Sequence, residues 1–202
     1  MFRFYRRKID LLWLFDRERL VMAATMMPDR LMLMMETDYS GLNPHEVTER
    51  RRSYGENVIS LPLGRKKCHV GCMSGHYLEE FINHLSNRFI SVVRKGMEPF
   101  IELQGSRLVP GDIIFLIVGD IVPADIRLVE ADGFEVDQHI FTGLNESVKK
   151  SATLEGGISA IISVIGLTDI CLAGSVVVGG KARGVVVSTG LATYLGKVIY
   201  GY

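Results

Sequence analysis

The chain has 202 residues, 48% of them hydrophobic, with 23 basic and 23 acidic side chains. That length holds one domain of moderate size plus an appendage, with a core that needs no covalent staples. The zero formal charge argues against a nucleic-acid binder, which carries a basic surplus. Three cysteines, Cys68, Cys72 and Cys171, make no disulfide framework and point to a reducing compartment.

Residues 1–37 read as helical, with Leu11, Leu12, Leu14, Phe15 and Leu20 on a rough apolar face. The start is basic (Arg3, Arg6, Arg7, Lys8), but Asp10, Asp16 and Glu18 interrupt the apolar run that a cleavable signal peptide needs. Ordinary helix packing accounts for this segment. The alternative is a basic amphipathic stretch, residues 1–20, in contact with an anionic membrane surface. Pro28 and Asp29 break the run, and Asp29 is placed to cap a second helix through Glu36. A third helix starts at Asn43-Pro44-His45-Glu46. Asn43 is its N-cap, Pro44 its first residue and Glu46 the return arm of a capping box. It runs to about Tyr54, where Gly55 supplies the stop.

Residues 60–76 read as an irregular linker, followed by a helix from Tyr77 to Arg88. Cys68-His69-x-x-Cys72 and His76 invite a metal reading, but the spacing matches no familiar zinc knuckle and no metal site is assigned. From Phe89 onward short β-rich runs alternate with turns: 89–94, 99–103, 113–118, 126–130, 134–137, 160–165, 170–178 and 182–188. Many short strands at regular spacing imply a compact β sandwich or barrel behind N-terminal helices, an α+β class that is mainly β. The apolar stretch Gly156–Gly180 approaches the roughly 20 residues of a membrane span. Its six glycines and short Val/Ile runs make it strands instead.

Three ordered segments resemble the actuator domain of P-type cation-transporting ATPases. The first is Pro110-Gly111-Asp112, then Gly119-Asp120-Ile121-Val122-Pro123-Ala124-Asp125. The second is Val136-Asp137-Gln138, leading to Thr142-Gly143 and Glu146-Ser147. The third is Gly174-Ser175 through Gly180, with Gly184 through Gly190 and Thr193-Tyr194-Leu195-Gly196-Lys197. Residues 41–57 resemble the helix that precedes the family's first membrane span. Together with Thr168-Asp169-Ile170-Cys171-Leu172-Ala173-Gly174, they look most like bacterial magnesium importers, with proton and calcium pumps close behind.

The resemblance implies a distorted, jelly-roll-like β sandwich. It divides the chain into an N-terminal helical segment (1–60), a linker and helix in place of the family's first membrane hairpin (61–88), and an actuator β domain (89–202). Residues 89–200 are expected to fold independently of residues 1–60. Asp112, Asp120 and Asp125 are expected as turn and capping residues.

In the family a Thr-Gly-Glu-Ser loop enters the phosphorylation site of another domain, where its Glu orients water against an aspartyl phosphate. Here the sequence reads Thr142-Gly143-Leu144-Asn145-Glu146-Ser147. Counting from the left puts Leu144 at the catalytic position, and counting from the right puts Glu146 there. Only Glu146 carries a carboxylate able to hold and deprotonate water. The expected site is therefore Glu146 with Thr142, Gly143 and Ser147.

The implied partners are the phosphorylation domain and membrane helices of a pump at the cytoplasmic face of the cell membrane, with no nucleic acid. Mg2+ and ATP are cofactors of the parent pump and none is expected in this chain. The phosphorylated Asp segment, Asp-Lys-Thr-Gly-Thr, is not in the sequence. The chain alone is therefore expected to be inactive. The competing expectation is a degenerate or truncated, non-catalytic regulatory module of the same fold.

Overall fold

The structure, a computed structural model, describes residues 16–61, 69–70, 73–154 and 163–201. Among the described residues the N-terminal part holds three short helices: α1 (Asp16–Thr25), α2 (Pro28–Met34) and α3 (Pro44–Tyr54). The α3 start is the expected capping box. Glu46 N–H donates to Asn43 Oδ1 at 2.9 Å and Asn43 N–H donates to Glu46 Oε2 at 2.8 Å. The α2 start differs from expectation. Proline takes the first helical position, the cap is Met27 with no side-chain bond, and Asp29 sits in the first turn. Proline needs no hydrogen-bond partner there, so a capping side chain is not required.

The linker contains a small antiparallel hairpin, β1 (His69–Val70) with β2 (Met73–Ser74), where the sequence suggested irregular chain. Cys68 and Cys72 lie outside the described residues. Helix α4 spans Gly75–Asn87 and buries Leu78, Ile82 and Leu85 at helical spacing.

The remaining elements are β3 (Phe89–Arg94), β4 (Met97–Gln104), β5 (Ile113–Ile117), β6 (Asp125–Asp137), α5 (His139–Thr142), β7 (Ser147–Lys149), β8 (Ile170–Cys171), β9 (Val176–Ser188) and α6 (Tyr194–Tyr200). Seven strands form one antiparallel sheet in the order β4-β3-β5-β9-β6-β7, with β8 paired to β6. The two runs expected at 126–130 and 134–137 are one strand, bent by register shifts between Leu128 and Glu130 and between Asp132 and Glu135. Such bulges let a long strand curl without ending. The run expected at 170–178 is divided between β8 and β9, and Val164–Gly166 is a 3-10 turn. Residues 155–162 lie outside the described residues.

The sheet separates two apolar clusters. One face buries Val92, Ile114, Leu116, Ile126, Leu128, Phe134, Val136 and Val186. The other buries Ile113, Val129, Ile170, Leu172 and Val185 against Leu20, Ala23, Ala24, Leu31, Met32 and Met35 of α1, α2 and the turn after them. The N-terminal helices thus close one side of the sheet, where the sequence suggested a β unit independent of them. A third cluster joins Ile59, α4, Ile140, Leu195 and Ile199.

Polar ties reinforce the N-terminal docking. Arg127 on β6, 2% exposed, donates from Nε to the Ala23 carbonyl at 3.0 Å and from Nη2 to the Met26 carbonyl at 3.3 Å. It thereby satisfies carbonyls at the α1 C-terminus, which have no partner within the helix. Arg50 of α3 donates to the carbonyls of Pro110 (2.6 Å) and Glu36 (3.2 Å). Gly111 is needed beneath it: φ is +93°, and a Cβ there would lie 1.9 Å from Arg50 Nη1.

Asp112 and Asp120 are turn residues as expected, while Asp125 instead makes long-range bonds from the start of a strand. Asp112 accepts from the Val109 N–H at 2.9 Å and pairs with Arg94 at 2.7 Å. Asp120 accepts from the Ile117 N–H at 2.9 Å. Asp125 ties Ala173 N–H (2.9 Å) and Tyr194 N–H (2.7 Å) to the start of β6.

Candidate functional site

The loop that follows β6 is built from Asp137 outward. At Asp137 the strand pairs with Ser147 on one side and Val176 on the other. The Asp137 carboxylate accepts the His139 N–H at 2.7 Å, which turns the chain out of the strand and into the single turn α5. The Gln138 carbonyl then receives the N–H groups of Phe141 (2.9 Å) and Thr142 (3.1 Å). Ile140 is buried in the third cluster, and the Phe141 ring meets Tyr194 edge-on at 5.3 Å.

Gly143 ends the turn in the left-handed region, at φ 68°, ψ 3°, with its N–H on the His139 carbonyl at 2.8 Å. The Leu144 N–H folds back on Thr142 Oγ1 at 3.1 Å. Leu144, Asn145 and Glu146 are exposed to solvent. The chain re-enters the sheet at Ser147, whose hydroxyl donates to Glu135 Oε2 at 3.1 Å. The expected residues therefore share one short loop. Thr142 and Gly143 form its fixed start, Ser147 its fixed end, and Glu146 is its carboxylate, one residue before the strand.

Sequence reasoning did not single out Asp137 or Glu135 as supports of this loop. The strand pairing that brings them beside Ser147 leaves no local signature. It also missed a buried ionic cluster around Arg127 of β6. Asp169, fully buried, stands 2.9 Å from Arg127, and Lys150 Nζ donates to the Leu167 carbonyl at 2.7 Å. Burial pushes the Asp169 carboxyl up to about 6 despite Arg127 and Lys150, and burial pushes Lys150 down. Among the described residues no His/Cys/Asp/Glu group is arranged to hold a metal ion. No helix among them is long and apolar enough to cross a membrane.

Residues 85–201 match the P-type ATPase actuator domain family. The chain belongs to that family. Its sheet, with helices packed against it, is the mainly antiparallel architecture expected of an actuator. Among its relatives, calcium-transporting ATPase 1 of Schizosaccharomyces pombe is 41% identical over 117 residues, covering 58% of this chain and 12% of that protein. Sodium/potassium exporting P-type ATPase 1 of Saccharomyces cerevisiae is 36% identical over 117 residues, 58% of this chain and 10% of that protein. Magnesium-transporting ATPase, P-type 1, of Escherichia coli is 36% identical over 104 residues, 52% of this chain and 11% of that protein. The chain thus spans roughly a tenth of the length of these relatives.

Proposed function

We propose that this actuator domain serves a P-type cation pump by presenting the 142–147 loop to an aspartyl phosphate on a phosphorylation domain, at the cytoplasmic face of a membrane. Glu146 orients the attacking water. The observation that carries this reading is the exposed loop of a family actuator, tied to the sheet at both ends, with a carboxylate beside its fixed end. A carboxylate at such a tip accepts a water proton and holds the oxygen in line, which a leucine does not do. Magnesium is the proposed cation, from the sequence likeness at 41–57 and 168–174. ATP and Mg2+ are proposed as cofactors of the whole pump. The 202-residue chain alone is proposed to be inactive, because the acceptor aspartate segment is not in it.

A second reading is favoured by the Leu144 N–H bond to Thr142. That bond fixes the residue directly after Gly143, and this residue is apolar. On this reading the domain is a disabled actuator, which docks and moves without hydrolysing the phosphoenzyme.

One experiment separates the two readings. Residues 85–201 are exchanged into an intact related pump, and decay of the phosphoenzyme is followed. If Glu146 is catalytic, Glu146→Gln slows decay by roughly a hundredfold or more, the scale of a lost general base. Decay that is already slow, and unchanged by Glu146→Gln, establishes the disabled actuator. Radiolabel incorporated from ATP into the isolated chain would overturn its proposed inactivity.

A further inference from the structure

Both ends of the 142–147 loop depend on Asp137. The carboxylate of this residue accepts the His139 N–H at 2.7 Å and so sets the start of α5, whose last residue, Thr142, begins the loop. Its backbone pairs with Ser147, the residue at which the loop ends. Its other neighbour across the sheet is Val176 of β9, which anchors the position laterally. Four residues, Gly143 to Glu146, lie between the ends, and all four are exposed. Nothing in the sheet or the third cluster packs over them, so their direction is set by how the two ends are held.

We infer that Asp137 is the positioning residue of the reactive loop. The inference rests on the reading of that loop as the functional element, and it holds whichever loop residue faces the phosphate. The side-chain bond is the controlling part. Without an acceptor at Asp137, the bond that turns the chain from β6 into α5 is gone, and the start of the loop loosens although Ile140, Phe141 and the backbone bonds to Gln138 and His139 keep the turn seated. The Asp137–Ser147 backbone pair remains, because it uses main-chain atoms only. One end of the loop then keeps all its bonds and the other has lost the one that sets its direction. The Ser147 bond to Glu135 at 3.1 Å lies on the held side and does not substitute for the cap.

The test uses the 202-residue chain and measures 15N relaxation and amide hydrogen exchange. In Asp137→Ala, order parameters fall for Gly143, Leu144, Asn145 and Glu146. The His139 and Gly143 amides exchange faster by roughly fivefold, the scale of one lost capping bond. The β5, β6 and β9 amides keep their wild-type values. Asp137→Asn keeps an acceptor oxygen and restores the loop values. Asp137→Ser, with a weaker hydroxyl acceptor, falls between and serves if the alanine variant does not fold.

Wild-type loop amides in Asp137→Ala, or in Asp137→Ser where the serine variant has to replace it, would overturn the inference. So would loosening spread equally along the β6–β9 ladder, and so would failure of Asp137→Asn to restore the loop. None of these readouts requires phosphoenzyme turnover. A pump chimera in which Glu146→Gln has no effect therefore refutes the catalytic role while leaving this measurement independent.

Discussion

Asp169 offers a direct measure of what the buried cluster behind β6 costs the fold. Two effects oppose each other at this carboxyl. Loss of water raises its proton affinity, while Arg127 at 2.9 Å and the nearby Lys150 lower it. Burial wins, taking the carboxyl from 3.8 to about 6. A rise of that size corresponds to about 3 kcal/mol of differential interaction. Below the unfolded value the group is protonated in both states and carries no penalty. Between 3.8 and about 6 the folded state binds the extra proton, so the stability due to this group is lost as pH rises through that window. Above it the full penalty is present. The perturbation is Asp169→Asn, which removes the titration. Urea unfolding of both proteins at pH 4, 5, 6 and 7 gives the difference in stability, wild type minus variant. That difference is expected to fall by about 2.4 kcal/mol from pH 4 to pH 7, the rest of the change lying below pH 4. A difference that is flat refutes the reasoning. A difference that rises with pH shows that the ion pair, and not burial, governs the site.

Three further outcomes follow from the packing. Leu31→Ala, at a side chain 1% exposed beneath the sheet, is expected to cost about 2–5 kcal/mol and to lower the melting of the sheet itself, measured by circular dichroism; an unchanged sheet transition would show that the N-terminal helices are not part of the cooperative unit. Cys171 is fully buried with its thiol pushed up to about 12, so iodoacetamide at pH 8 should leave it unlabelled in the native chain and label it in urea, as read by peptide mass mapping. Gly143→Ala is expected to destabilise by about 1 kcal/mol because φ is +68° there, and Gly143→Asn by less, in thermal melts; equal stability of the glycine and alanine forms would refute the left-handed cap.

Local chemistry was legible in the sequence where it acts within a few residues. The Asn43-Pro44-Glu46 start and the aspartate turns at 112 and 120 are complete in their own segments, so spacing alone identifies them. Asp125 shows the limit. Its side chain holds Ala173 and Tyr194, partners 48 and 69 residues away, and only the resemblance to a family pointed to it. The continuity of β6 was hidden for a related reason. Residues 131–133 fell in the gap between two expected runs, and only the facing strand β9 carries them as a bulged ladder. Docking of the N-terminal helices was invisible because Arg127 reaches main-chain carbonyls, which carry no side-chain signature, about a hundred residues away. The loop residues were visible as a motif, while their support from Asp137 and Glu135 depended on strand register.

The placement of Arg127 and Asp137 on one strand gives the domain its mechanical character. They stand ten positions apart along β6, a strand bent by the register shifts at 128–130 and 132–135. Arg127 holds the N-terminal helices at one end, and Asp137 sets the loop at the other. Between them β6 is paired to β9 along most of its length. Two paired strands do not stretch, and the bulges bend them without releasing the ladder at either end. Displacing the N-terminal helices relative to the loop would break the Arg127 bonds to Ala23 and Met26 and expose Leu20, Leu31 and Met32 to water. Burying a side chain of that size contributes about 1.5–3 kcal/mol. A displacement of the N-terminal helices relative to the sheet therefore costs both these bonds and this burial.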